Sequence, residues 1–119
     1  MDGQVKTGTT TIAVKCKDGV VVAADKRATV GNTIMRGGMR KVIPLNDSMV
    51  ITLAGHASIA VLISRHARSE IKLWELRTGR KATVKEAAHL LGQFAMSVLQ
   101  SGQITHMILA GKDDLGYHI

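Results

Sequence analysis

The chain has 119 residues, of which 45% are hydrophobic and 21% are charged, a balance typical of one globular domain and not of a disordered segment. Its formal net charge is +7, but the basic residues are dispersed and no aromatic residues interleave with them, so we expect no nucleic-acid partner. Cys16 is the single cysteine, which excludes an internal disulfide bond and a cysteine-based zinc site.

No targeting or membrane segment is indicated. Residues 1–8 lack the apolar stretch of a secretory signal, and the most apolar region, residues 49–63, is too short and too polar to span a membrane. The histidines show no metal-ligand spacing, so we expect no cofactor. We therefore expect a cytoplasmic protein that makes no membrane contact.

The chain opens with a predicted β-hairpin. Residues 9–15 alternate and are rich in Thr, Ile and Val, Asp18-Gly19 is a turn dipeptide, and residues 20–25 form a nearly continuous apolar run. This run predicts a strand buried on both faces. Antiparallel pairing would place Thr9 and Asp25 at the same end of the hairpin.

A glycine-punctuated loop is predicted over residues 26–39, followed by a second hairpin whose strands are residues 41–45 and 48–54. Helical spacing of apolar residues predicts a helix over 57–78, which ends at Gly79. A capping box at Thr83 predicts the start of a second helix, which Gly102 closes.

Strand patterns return over residues 105–111 and again from residue 117, after a turn over 112–116. The order of strands, two helices and strands again predicts an α+β fold, with the helices packed on one face of a sheet.

The Gly8–Thr9 bond is the most informative feature for chemistry. If this bond is cut, Thr9 gains a free α-amino group beside its own hydroxyl, so one residue supplies both a nucleophile and a base. Taken singly, Thr9 is more often a β-forming residue, Asp25 a turn residue and Lys41 a solvated charge. Ser58 lacks the closing glycine of a nucleophile elbow.

Several segments together resemble the β-subunits of archaeal-type proteasomes. They are the start GTTTIAVKCKDGVVVAADKRATVGN, the strand ITLAG, the helical stretch ELRTGRKATVKEAA and the strand HMILAGKDD. The resemblance runs from Gly8 to the last residue and implies the N-terminal nucleophile (Ntn) hydrolase fold, an αββα sandwich. It also implies that residues 1–8 are a propeptide, and that residues 9–119 are the N-terminal portion of a single β-type domain.

The resemblance implies a role for each matching residue. Thr9 would be the nucleophile, released by self-cleavage between Gly8 and Thr9, with its α-amino group as proton acceptor. Lys41 would stabilise the developing charge, Asp25 would hold that lysine, and the backbone N–H of Gly55 would be the oxyanion donor. Arg27 would support the loop. The substrate-binding residues would be Ala28, Thr29, Met39, Ile43, Leu53, Ala57 and Val61, and their mostly apolar side chains imply cleavage after hydrophobic residues.

The function implied by the resemblance is a threonine-type endopeptidase that degrades unfolded polypeptides. It would act in stacked heptameric rings of α-subunits and other β-subunits, served indirectly by an ATP-dependent unfoldase and needing no metal cofactor. With residues 1–8 attached, the chain would be an inactive precursor.

Family members are longer, and their second half supplies further strands, two helices and polar residues that complete the site. We therefore expect a truncated form, with an incomplete sandwich that exposes an apolar face. Two alternatives stay open. One is a non-catalytic structural or assembly subunit, and the other is the protease subunit of the bacterial ATP-dependent relative of the proteasome.

Overall fold

An antiparallel hairpin opens the structure, as the sequence predicts. In the computed structural model, strand β1 (Thr11–Cys16) pairs with β2 (Gly19–Ala24), with Thr11 opposite Ala24 and Cys16 opposite Gly19. The residues that the structure describes are 10–26, 29–30, 33–34, 40–55, 57–102 and 105–119.

The segment predicted as a loop over residues 26–39 contains a short strand pair. Strand β3 (Thr29–Val30) pairs antiparallel with β4 (Thr33–Ile34). The prediction was wrong for these four residues because two-residue strands are too short to show an alternating pattern.

A four-stranded antiparallel sheet forms the centre of the fold. It contains β5 (Val42–Pro44), β6 (Met49–Gly55), β7 (Thr105–Asp113) and β8 (Gly116–His118), in that spatial order. The second predicted hairpin is confirmed as β5 and β6. Strand β7 is longer than predicted, since it ends at Asp113 and not at residue 111.

Both predicted helices are confirmed. Helix α1 spans Ala57–Thr78, and Gly79, with a φ of +70°, donates its N–H to the carbonyl of Glu75 over 3.0 Å. Helix α2 spans Val84–Gln100 and begins with the predicted capping box. Within the described residues, no helix is long and apolar enough to cross a membrane.

The hydrophobic core lies between the helices and one face of the sheet. Alternate residues of β6 point into this layer, where Met49, Ile51 and Leu53 are buried. The helical members of the core are Ala60, Ile63, Ala67, Ile71, Val84, Ala87 and Leu91. These residues recur at the spacing of one helical face, which is why the sequence pattern predicts both helices.

The β1–β2 hairpin covers the opposite face of the sheet. Thr52 of β6 and Ala110 of β7 point away from the helices and are fully buried, and both hairpin strands contact β6 and β7. The prediction that β2 is buried on both faces was wrong, because its outward side chains meet no further layer within the described residues. The side chains of Ile12, Val14 and Val21 form an exposed apolar face of the hairpin.

Charged residues join the helices to each other and to the sheet. The guanidinium group of Arg80 lies over the ring of Trp74 and binds both carboxylate oxygens of Glu86, at 3.0 and 3.1 Å. This hydrogen-bonded guanidinium lowers the pKa of Glu86 from 4.5 to about 2. The carboxylate of Asp113 in β7 accepts the N–H of Val84, and this contact lowers the pKa of Asp113.

Gly111→Ala should destabilise the sheet where β7 pairs with β6. An added Cβ would lie 2.5 Å from the Ser48 carbonyl oxygen and 2.7 Å from the Met49 side chain. The Ser48 carbonyl belongs to the backbone, so it cannot move away without disturbing the sheet. We expect the free energy of unfolding to fall by about 2 kcal/mol in a urea titration. Gly92→Ala is the matched control, because a Cβ there meets nothing within 4 Å. The control should gain about 0.5–1 kcal/mol from helix propensity. Equal effects of the two substitutions would contradict the packing described.

Acid unfolding should depend on Glu86. Its folded-state pKa is depressed, so the stability it contributes is complete above the unfolded-state pKa and is lost as the pH falls towards the folded value. We expect Glu86→Gln to flatten the fall in melting temperature between about pH 5 and pH 2. Glu70→Gln is the control on the neighbouring helix, and an identical pH profile for both variants would argue against the Arg80–Glu86 contact.

Candidate active site

The open end of the β1–β2 hairpin brings Asp25 to the start of β1. The backbone N–H of Thr10 donates to Oδ2 of Asp25 over 2.8 Å, and the N–H of Asp25 donates to the Thr10 carbonyl over 3.2 Å. Thr10 directly follows Thr9 in the sequence. The prediction that Asp25 lies at the end of the hairpin where β1 begins is confirmed, while Thr9 itself lies outside the described residues.

Asp25 also forms an ion pair with Lys41, which precedes β5. The distance from Nζ of Lys41 to Oδ1 of Asp25 is 2.5 Å. The Lys41 side chain is only 5% exposed, against 33% for Asp25, so this ammonium group is held away from bulk water. A buried ammonium is costly unless it is paired. One carboxylate therefore binds the backbone beside Thr9 with one oxygen and the lysine with the other.

At the end of β6, backbone N–H groups point towards β5, the strand that Lys41 precedes. The N–H of Leu53 donates to the Lys41 carbonyl over 3.1 Å. In an antiparallel ladder, N–H groups two residues apart point to the same side. The N–H of Gly55 is therefore directed as that of Leu53 is, and the register places Gly55 opposite position 39, which lies outside the described residues.

Thr105 lies across from Gly55 at the first position of β7. The ladder pairs Gly55 with Thr105 and Ala54 with His106. The Thr105 hydroxyl donates to the Ala54 carbonyl oxygen at 3.4 Å. The sequence did not indicate this residue, because β6 and β7 are paired in space but are separated in the sequence by both helices.

The structure describes only some of the predicted site residues. The residues that lie outside the described part of the chain are Gly8, Thr9, Arg27, Ala28 and Met39. Thr29 is the first residue of β3 and Ala57 the first of α1. Their catalytic, supporting and substrate-binding roles stay predictions.

The remaining predicted substrate-binding residues lie in the sheet and in α1. Leu53 is buried in the hydrophobic core, Ile43 packs against that core from β5, and Val61 is 44% exposed on α1. A pocket formed by them stays a prediction. No group of three or more His, Cys, Asp or Glu side chains is arranged to hold a metal ion within the described part of the chain.

Asp25→Asn should cost more stability than loss of a surface ion pair. The substitution removes the carboxylate charge that faces the buried ammonium of Lys41, so we expect the free energy of unfolding to fall by about 2–3 kcal/mol at pH 7. Glu86→Gln, which neutralises the exposed pair with Arg80, should cost less than about 1 kcal/mol. Adding Lys41→Met to Asp25→Asn should restore part of the loss. Equal costs for Asp25→Asn and Glu86→Gln in urea titrations would contradict a buried pair.

Comparison with known proteins identifies the family of the chain. A proteasome subunit family model matches residues 5–119. The chain is 39% identical over 113 residues to a proteasome subunit beta of Archaeoglobus profundus, covering 95% of this chain and 53% of the relative. It is 38% identical to a proteasome subunit beta of Haloquadratum walsbyi, with 99% and 48% covered.

A further relative is the proteasome subunit beta 2 of Thermococcus onnurineus, which is 32% identical with 93% of this chain and 60% of the relative covered. The chain spans about half the length of the curated relatives it matches. The match over nearly the whole chain, together with the α+β architecture, means that the chain belongs to the proteasome subunit family.

Proposed function

We propose that the chain carries the catalytic centre of a threonine-type endopeptidase, with Thr9 as nucleophile. The observation that carries the proposal is the bridging carboxylate of Asp25, which binds the backbone of Thr10 with one oxygen and the buried ammonium of Lys41 with the other. A fixed positive charge beside the first residues of β1 is what a hydroxyl nucleophile needs there.

The first proposed step is self-cleavage. The Thr9 hydroxyl attacks the Gly8 carbonyl carbon, and the peptide bond is replaced by an ester as the Thr9 nitrogen leaves with a proton. Water then hydrolyses the ester and releases residues 1–8. The product has an α-amino group, which titrates near pKa ~8 and is suited to accept a proton at neutral pH.

The same groups would then hydrolyse substrates. The α-amino group accepts the proton of the Thr9 hydroxyl as its oxygen attacks the scissile carbonyl, and the Lys41 ammonium stabilises the negative charge that develops. The backbone N–H of Gly55 would donate to the oxyanion, since β6 directs it to the side where Lys41 lies. Expulsion of the amine leaves an acyl ester on Thr9, which water hydrolyses.

The proposed substrate is an unfolded polypeptide bound in extended form. Thr29, Gly55 and Ala57 would offer backbone groups to it, and the apolar set with Ile43, Leu53 and Val61 would favour hydrophobic residues before the cleaved bond. Relatives with matching sequences are named as proteasome subunits, which supports assembly with α-type and other β-type subunits.

Thr9→Ala should abolish both self-cleavage and peptide hydrolysis. The protein would be co-expressed with α-type proteasome subunits, and its intact mass and its hydrolysis of fluorogenic peptides with a hydrophobic residue before the cleaved bond would be measured. We expect wild type to lose residues 1–8 and to cleave the peptides. Thr78→Ala is the control, because this exposed threonine lies at the far end of α1 and should leave both results unchanged.

The outcomes also separate the rival functions. Hydrolysis that persists in Thr9→Ala would overturn the proposed nucleophile. Assembly with the α-type subunits without any hydrolysis would instead indicate a structural or assembly subunit. Co-purification with a hexameric unfoldase and not with α-type subunits would indicate the bacterial relative.

A further inference from the structure

We propose that Thr105 is a positioning residue that holds the Ala54–Gly55 peptide group in the orientation required for oxyanion binding. The inference rests on the proposed function, in which the N–H of Gly55 is the oxyanion donor. The observation behind it is the hydrogen bond from the Thr105 hydroxyl to the Ala54 carbonyl oxygen. That carbonyl and the Gly55 N–H belong to the same peptide unit.

The planarity of the peptide bond couples these two groups. In a trans peptide the C=O and N–H lie in one plane and point in opposite directions, so an anchor on the oxygen also sets the direction of the N–H. The ladder pairing of Ala54 with His106 directs this oxygen towards β7, and the Thr105 hydroxyl is a second donor to it, so the N–H is held towards the side on which Lys41 lies.

The position of the bond at the end of the sheet explains why a second donor to this carbonyl would matter. Gly55 is the last residue of β6 and Thr105 the first of β7, so their pairing is the final rung of this ladder. Strand ends open more readily than strand centres, and glycine has no side chain to restrict its backbone. Without the hydroxyl of Thr105, this peptide group would be held by the last part of the ladder alone, and we expect it to fluctuate more.

A hydrogen bond to the carbonyl also makes the N–H a better donor, because linked hydrogen bonds polarise one another. The oxygen–oxygen distance of 3.4 Å makes this a weak bond in the structure. Catalytic hydrogen bonds often shorten only when the transition state forms. The effect of Thr105 should therefore appear in turnover more than in substrate binding.

Kinetics of the processed protein, assembled with α-type subunits, provide the first test. Thr105→Val keeps the β-branched shape and removes the hydroxyl, whereas Thr105→Ser keeps the hydroxyl. We expect Thr105→Val to lower kcat by about 3- to 10-fold with little change in KM, less than the loss of an oxyanion donor itself. Thr105→Ser should retain most of the activity. An unchanged kcat in Thr105→Val, or an equal loss in Thr105→Ser, would overturn the proposal.

A spectroscopic test does not depend on activity. The sequence contains two Ala-Gly dipeptides, Ala54–Gly55 and Ala110–Gly111, each preceded by leucine. Labelling alanine with ¹³C at the carbonyl and glycine with ¹⁵N leaves only these two peptide groups visible in a carbonyl-filtered amide spectrum. Loss of a hydrogen bond to its carbonyl should move the Ala54–Gly55 signal, while the Ala110–Gly111 signal serves as an internal control.

The combined results distinguish the two proposals. A shift of the Ala54–Gly55 signal in Thr105→Val, restored in Thr105→Ser, supports the positioning role even if wild type proves inactive and the proposed function fails. Hydrolysis that depends on Thr9, combined with an unmoved Ala54–Gly55 signal, would leave the proposed function standing and refute the role of Thr105.

Discussion

The buried ammonium of Lys41 is the constraint on which this end of the molecule depends. The hydrophobic faces of the hairpin and of the sheet could pack in more than one relative position, because apolar contact is not directional. The Lys41 side chain is only 5% exposed, and its ammonium group requires a carboxylate at hydrogen-bonding distance. This requirement restricts the relative position of the two layers far more than apolar contact does. Asp25 meets that requirement only when the end of β2 lies beside the start of β5, which fixes the two layers relative to each other.

The turns determine which residues can meet at that place. Residues 17–18 connect β1 and β2, and the segment 45–48 connects β5 and β6, where the N–H of Ser48 is held by the Asn46 side chain over 2.8 Å. A hairpin closed by a turn at one end is open at the other, and the ion pair brings the two open ends together. Thr10, Asp25, Lys41 and Gly55 are collected there by chain connectivity, although they lie far apart in the sequence.

Local patterns predicted the helices, their caps and the two main hairpins, because periodic burial and capping depend on residues that are close in the sequence. The pairing of Asp25 with the start of β1 followed from hairpin geometry alone. The exposed outer face of β2 was missed, since an apolar run does not say which of its faces another layer will cover. Thr105 was missed for a related reason, because only the register between β6 and β7 brings it to Ala54.

The register between β5 and β6 places Lys41 and Gly55 at the same end of the sheet. Leu53 and Gly55 direct their N–H groups to the same side of β6, and that of Leu53 donates to the Lys41 carbonyl. The oxyanion role proposed for Gly55 requires that no backbone carbonyl competes for its N–H. The start of β5 at Val42 leaves the Lys41 side chain at the strand end, where it reaches Asp25.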